Sequence, residues 1–226
     1  RHTRFAIESK ESGFDGQTSF GQTITCRIPN NVGDLVRSTI LKVTLESVKI
    51  PEEGESKTLY NTSIGSRIIE SADLVIGGQT IERIKGEYIY MYDQLHSSKD
   101  DVEQTLYFLN GHGGHIDFSD PYTFYVNLPF YFFRHPSLAI PMCAISKQLI
   151  EVRITFKPAD YKIAYTYLNV DEKYYVTPVV TGQIKSASLI TDFYFITDDE
   201  KNFLKTRPVE YVITQLQLAT VPINPG

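Results

Sequence analysis

The sequence predicts an all-β fold, an eight-stranded jelly-roll β-sandwich with two short helices. Three observations predict it. Many short segments alternate apolar and polar residues with period two, the mark of strands with one buried face. Tyr and Phe, which favour strands, number 15 and 13 among 226 residues. Long loops and Pro/Gly-rich turns separate the segments, as in sandwiches and barrels. Periodicity alone leaves immunoglobulin-like and lectin-like sandwiches open.

In chain order, residues 5–8 read as a short strand and 13–16 as a turn. Residues 18–28 alternate around Phe20, Gln22, Ile24 and Cys26. The run Pro29-Asn30-Asn31-Val32-Gly33-Asp34 is a loop. Residues 38–48 form a strand with Leu41, Val43 and Leu45 inward, and 51–56 an acidic loop. Ala72, Leu74 and Ile76 make another strand face that ends at Gly77-Gly78. Glycine accepts positive φ, so that pair supports a tight hairpin. The period then changes. Ile81, Ile84, Tyr88, Met91, Tyr92 and Leu95 fall at helical spacing, which predicts a helix over 85–96.

The stretch 122–156 organises the rest. Tyr122, Phe124, Val126 and Leu128 point one way, and Ile150, Val152, Ile154 and Phe156 repeat the pattern. Between them, Pro129, Pro136 and Pro141 break sheet pairing. Phe130, Tyr131, Phe132, Phe133, Leu138, Ala139 and Ile140 make this bridge too apolar for a solvated loop. It is expected to plug one end of a core. Residues 158–178 are tyrosine-rich and weakly patterned, and 188–196 read as a strand. Thr197-Asp198-Asp199-Glu200 is a capping box opening a second helix, which stops before Pro208. Residues 209–218 read as a final strand.

Composition excludes several functions. The net charge of −5 gives no attraction to nucleic acid or anionic lipid. No run of about 18 apolar residues exists, so no membrane-spanning helix is expected. Cys26 and Cys143 sit far apart in apolar surroundings and read as unpaired buried thiols. The segment His112-Gly113-Gly114-His115-Ile116-Asp117 has metal-like residue types, but a rigid ligand set needs firmer support than glycines give, so it reads as an exposed loop. His135, before a proline amid aromatics, reads as a packed structural residue, and His2 and His96 have no partner pattern. Asp100, Asp101 and Glu103 read as a solvated face. No phosphate loop, nucleophile elbow or Cys/His pairing is present. No catalytic residue, metal or cofactor is therefore assigned. Asn61-Thr62-Ser63 matches a glycosylation acceptor, which makes Asn61 the one modification candidate.

Several segments, in order, resemble the major capsid proteins of nucleocytoplasmic large DNA viruses, the double jelly-roll family. Arg1-His2-Thr3-Arg4-Phe5-Ala6-Ile7-Glu8-Ser9 resembles that family's arginine-led opening segment. Phe20-Gly21 and Gly33-Asp34-Leu35 are similar to the next two signatures. Ala72-Asp73-Leu74-Val75-Ile76-Gly77-Gly78-Gln79 with Ile81 resembles its Ile-Gly-Gly-Gln turn, and Gly86-Glu87-Tyr88 leads into the helix that follows. Leu128-Pro129-Phe130, Leu138-Ala139-Ile140-Pro141 and Glu151-Val152 resemble the central block. Asp192-Phe193-Tyr194-Phe195 with Glu200, then Glu210-Tyr211-Val212-Ile213-Thr214-Gln215-Leu216-Gln217, resemble the junction into a second roll.

The resemblance implies a first jelly roll over 1–185 and, over 186–226, a junction strand, a short helix and the first strand of a second roll. It also implies an arm ahead of Arg1 and a second roll beyond Gly226, so the chain reads as part of a longer protein. The implied function is structural, not enzymatic. Such a subunit forms a homotrimer, a pseudo-hexagonal capsomer that tiles an icosahedral shell beside neighbouring capsomers. Minor capsid proteins lie beneath it, and the location is the virion, with assembly in the host cytoplasm. Two rivals remain at this point. A carbohydrate-binding jelly roll would use the tyrosines between Tyr161 and Tyr175, and a cupin-like metalloenzyme would need a multi-ligand His/Glu site.

Overall fold

The computed structural model describes residues 4–46, 55–60, 62–98, 107–111, 120–145, 147–159, 164–170, 173–179, 183–207 and 209–219. Alternating segments in this sequence find partners in two four-stranded antiparallel sheets that face each other across one core. The strands, in chain order, are β1 (Ala6–Gly13), β2 (Thr23–Ile28), β3 (Leu35–Leu45), β4 (Glu55–Tyr60), β5 (Ile69–Ile76), β6 (Gln79–Ile84), β7 (Tyr122–Asn127), β8 (Ile150–Phe156), β9 (Ala164–Val170), β10 (Lys173–Val179) and β11 (Ile184–Phe195). The first sheet has the order β1-β11-β3-β7, the second β2-β8-β5-β6. Among these eight strands, only β5 and β6 follow one another within a sheet. Every other connection crosses to the opposite sheet, which is the winding of a jelly roll.

The core follows the period-two pattern. Leu41, Val43 and Leu45 of β3 and Phe124 and Val126 of β7 face Ile150, Val152, Ile154 and Phe156 of β8 and Ile24, Cys26 and Ile28 of β2. Gly77 and Gly78, at φ 60° and 82°, close the β5–β6 hairpin in the left-handed region, where a side chain would be strained. The bridge after β7 folds as expected, under the end of the sandwich. Phe130 and Phe132 are fully buried, and Arg37 donates to the Phe132 and Phe133 carbonyls, both at 2.6 Å.

Among the described residues, five α-helices lie on this frame: α1 (Ile64–Arg67), α2 (Gly86–His96), α3 (Tyr107–Asn110), α4 (Tyr131–Arg134) and α5 (Asp198–Thr206), with a 3₁₀ turn at Pro136–Leu138. The two longer ones, α2 and α5, are those the spacing and the capping box predict. The other three are single turns, too short to show a period.

Four expectations are corrected. The weakly patterned stretch and part of the acidic loop form a third sheet, ordered β10-β9-β4. The sequence of these segments carries no clean period-two alternation to mark it. Residues 209–218 are not a strand. They run extended but make no ladder, because no described strand edge pairs with their backbone. His135 is exposed rather than packed, and its Nδ1 lies 2.7 Å from the Ser137 hydroxyl at the start of the 3₁₀ turn. Both cysteines are free as expected, but Cys143 sits half-buried in a turn while Cys26 is buried in β2.

The strand expected at 188–196 begins earlier, at Ile184, and lies between β1 and β3 at the centre of the first sheet. Its Leu189 and Phe193 side chains belong to the same core as β3 and β7.

Candidate assembly surface

Among the described residues, no group of three or more His, Cys, Asp or Glu side chains could hold a metal ion. The segment 112–117 lies outside the described residues, as do Asn61, His2 and the acids at 100, 101 and 103. The tyrosine side chains of the 161–175 stretch also lie outside the described part of the structure. Burial pushes the Cys26 thiol up to about 11 and raises that of Cys143, so both stay protonated and are poor nucleophiles. No helix among the described residues is long and apolar enough to cross a membrane.

Among the described residues, exposed large apolar side chains cluster in three regions, with Leu149 standing alone before β8. The first is β1, an edge strand on which every residue but Ser12 is exposed. Phe5, at 62% exposure, stacks on Tyr194 with ring centroids 5.7 Å apart, and Ile7 faces solvent beside it. The edge carries charge as well: Glu11 pairs with Lys42 at 3.0 Å and accepts from the Ser188 hydroxyl at 2.6 Å. Charges on an edge strand oppose indiscriminate pairing with other chains.

The second region is the outer side of α2. Gly86 starts this helix against α1, where a Cβ would collide with the Ser66 and Ile69 carbonyl oxygens. That contact explains why glycine opens the Gly86-Glu87-Tyr88 segment. Ile89 and Asp93 turn inward, leaving Tyr90, Met91 and Leu95 exposed, the last at 79%. A cleft of about 270 Å³ opens beside them, lined by Arg67, Glu87, Tyr90, Met91 and Lys157. The inward Asp93 accepts from Asn110 Nδ2 at 3.1 Å, and Asn110 Oδ1 accepts from the Ser66 amide at 2.9 Å. This buried chain ties α1, α2 and α3 together. Burial pushes the Asp93 carboxyl up to about 6, against the opposing hydrogen bond from Asn110.

The third region is the exit from the first sheet. The Glu200 carboxylate accepts from the Thr197 amide at 3.3 Å and the Thr197 side chain meets the Glu200 backbone amide, the reciprocal contacts of a capping box, while the Thr197 hydroxyl also lies 3.1 Å from that carboxylate. Asp34 accepts from the Ile196 amide at 2.9 Å and pairs with Lys201 at 3.1 Å, which pins α5 to the loop before β3. Beside it is a cleft of about 390 Å³ that includes Asn30, Met142, Cys143, Lys201 and Lys205. No residue of α5 is fully buried, and Phe203 lies over solvent under the Arg207 guanidinium, 4.6 Å from its ring centre. Beyond α5, Tyr211, Ile213 and Leu216 are half-buried, whereas Val209, Val212 and Leu218 face outward.

Sequence reasoning located α2 and α5. It read only 5–8 as a strand, although the polar run Glu8-Ser9-Lys10-Glu11-Ser12 signals the exposed edge that β1 forms. It also missed the Asp93–Asn110 pair, whose partners are 17 residues apart with nothing local to link them.

Comparison with known proteins agrees with this geometry. Residues 1–197 match the profile of the family described as "Major capsid protein N-terminus". The chain is 28% identical to the major capsid protein of Phaeocystis pouchetii virus, across 96% of this chain and 47% of that protein. It is 31% identical to capsid protein 1 of Acanthamoeba polyphaga mimivirus, across 96% of this chain and 38% of that one. The chain thus spans less than half the length of these two relatives. In fold it resembles the crystal structure of PBCV-1 VP54, with a TM-score of 0.75 at 24% identity over 96% of this chain and 48% of that one. It also resembles the Faustovirus major capsid protein, with a TM-score of 0.64 at 12% identity over 90% of this chain and 56% of that one. These relatives are named as structural proteins of virus shells, not as enzymes. All eight strands of the two facing sheets lie within the matched residues, and the chain belongs to the major capsid protein family, through its N-terminal domain.

Proposed function

We propose that this chain is the first lobe of a capsid wall subunit. The observation that carries the reading is the pairing of a complete eight-strand jelly roll with relatives about twice its length, in which room remains for a second lobe of similar size. In this reading β11 lies inside the first sheet, between β1 and β3, and the chain leaves the lobe after Phe195 through α5. Two upright lobes per subunit and three subunits per trimer give six lobes, a pseudo-hexagonal unit that tiles a flat facet. Closed three-fold symmetry satisfies each subunit interface. The location is the virion shell, following assembly in the host cytoplasm, with neighbouring capsomers at the sides and minor capsid proteins beneath.

The physical requirements of a wall match what this lobe offers. Rigidity comes from two sheets over one apolar core. Contact area comes from β1, α2 and the residues around α5, where large apolar groups are exposed. Light scattering and electron microscopy on protein expressed from its whole reading frame test the proposal. A three-fold particle with six lobes is expected. A stable monomer or dimer at micromolar concentration would overturn it.

A further inference from the structure

Residues 209–219 lie extended on the lobe without joining a sheet, although β6 offers the edge of the second sheet nearby. What holds them is visible in the side chains of Glu82 and Arg134. The Glu82 carboxylate, on β6, is fully buried. Its Oε2 accepts from the Tyr131 amide at 2.7 Å, and its Oε1 accepts from Arg134 Nη2 at 2.8 Å. The Leu216 backbone amide faces the same carboxylate and opposes the rise that burial imposes on its pKa. Arg134, from α4, donates to the Tyr88 hydroxyl at 3.0 Å and to the Thr214 carbonyl. Around this pair, the Gln215 amide donates to the Ile81 carbonyl at 2.5 Å and the Tyr211 hydroxyl to the Ala139 carbonyl at 3.3 Å. Ile213 and Leu216 pack against the main core.

In a parallel ladder, one residue of a strand donates its N–H to the carbonyl of residue i−1 opposite and accepts with its C=O from the amide of residue i+1. Here Arg134 supplies the donor to Thr214 and Glu82 the acceptor for Leu216, on either side of Gln215. We propose that the Glu82–Arg134 ion pair is a docking site for extended backbone, which replaces one residue of a neighbouring strand and latches the chain's own residues 214–216 to the first lobe.

Two features suit the pair to that task. A buried carboxylate is costly unless it is paired and its remaining lone pairs are bonded, and the strap amide supplies one of those bonds. A buried pair also sets register, because a shift by one residue would present a carbonyl to Glu82 and an amide to Arg134. The site is thus tolerant of side chain at 214 and strict about register, while Tyr211, Ile213 and Leu216 select the segment by packing. The consequence is a defined path for the chain as it leaves the lobe, independent of any contact made by Val209, Val212 or Leu218 on the outward side.

Hydrogen exchange on the 226-residue chain tests this, with peptides covering 209–219 compared with peptides from β3 and β8. The Leu216 amide is expected to be protected in the parent. Arg134→Lys, which keeps a cation beside Glu82 and removes the guanidinium fork that reaches both Glu82 and the Thr214 carbonyl, is expected to speed exchange at 214–217 about tenfold or more, the scale of a charge-assisted bond, with β3 and β8 unchanged. Gln215→Ala, which leaves the ion pair intact, is expected to speed it only a few-fold, and it carries the test if the Arg134 variant does not fold. Free-chain exchange at Leu216 in the parent would overturn the proposal. So would unchanged exchange in both variants, or a loss in the Arg134 variant spread equally over the core.

Discussion

β8 and the segment 209–219 are both extended, and both lie on the same body, but they are held by different forces. β8 has a backbone ladder on each edge, to β2 and to β5, and buries Ile150, Val152, Ile154 and Phe156 completely or nearly so. The tail segment has no ladder. It half-buries three side chains and hangs on an ion pair, a tyrosine hydroxyl and a glutamine amide. The difference teaches that extension is not cooperativity. β8 cannot leave without opening the core, so its stability should equal that of the whole domain. The strap can open alone, at a free energy set by a few local bonds.

The sharpest way to break that comparison is to make one substitution in both places. Val152→Asp buries a charge with no cation nearby, in a strand bonded on both sides. It is expected to cost roughly 4 kcal/mol or more, or to prevent folding, as read from the urea midpoint. Val212→Asp places the same charge on a side chain that is 95% exposed. It is expected to shift the midpoint by no more than about 0.5 kcal/mol. Equal losses at the two sites would mean that the strap is part of the cooperative core.

A second contrast concerns two buried carboxylates. Burial raises the pKa of both, but Glu82 has Arg134 and two backbone amides to oppose that rise, while Asp93 has only Asn110. The Asp93 carboxyl is pushed from 3.8 up to about 6, so between those values the folded state binds a proton that the unfolded state does not. Stability from this group is therefore greatest below about pH 4 and falls as pH rises to about 6, above which the full cost of the buried charge is present. Asp93→Asn should remove that cost. The variant is expected to match the parent near pH 4 and to exceed it at pH 7 by up to about 3 kcal/mol, since each pKa unit is about 1.4 kcal/mol. Denaturation at the two pH values measures it. A constant difference across the range would show that Asp93 does not titrate there.

The parts legible in the sequence share one physical property, that their signal is local. Alternation in β3, β7 and β8 reports one buried face, and Gly77-Gly78 reports a turn whose φ values only glycine accepts readily. The capping box in front of α5 is a four-residue device and was readable as such. What was not legible depends on distant partners. β9 pairs on one side with β10 and on the other with β4, more than 100 residues earlier, and no clean alternation in these segments betrays the pairing. The tail 209–218 shows the converse error, since Tyr211 and Ile213 alternate with Val212 as a strand would, yet no strand edge receives them. At the candidate surface the helical spacing located α2 but not its inward face, since Ile89 and Asp93 turn inward while Met91 and Leu95 of the apolar stripe are exposed. The Glu82–Arg134 pair was not legible, because nothing in a sequence says that residues 52 apart will meet around a third segment.

The smallest expected effect tests whether α5 belongs with β8 or with the strap. Its N-terminus is closed by Thr197 and Glu200, and its first turn carries Asp198, Asp199 and Glu200, all favourable near the positive end of the helix dipole. Yet α5 buries no residue completely, and its main tie to the lobe is the Lys201–Asp34 ion pair at 3.1 Å. Thr197→Ala removes the hydroxyl that meets Glu200 and leaves the amide contact in place. Loss of such a cap costs about 0.5–1 kcal/mol of helix stability. Because so little of the core leans on this helix, that loss should appear as roughly two- to five-fold faster amide exchange across 198–206, with the urea midpoint of the domain unchanged. A midpoint that falls by the full amount would instead place α5 inside the cooperative unit, and would make the Asp34 contact, rather than the cap, the boundary between the part of the chain that folds as one and the part that hangs on it.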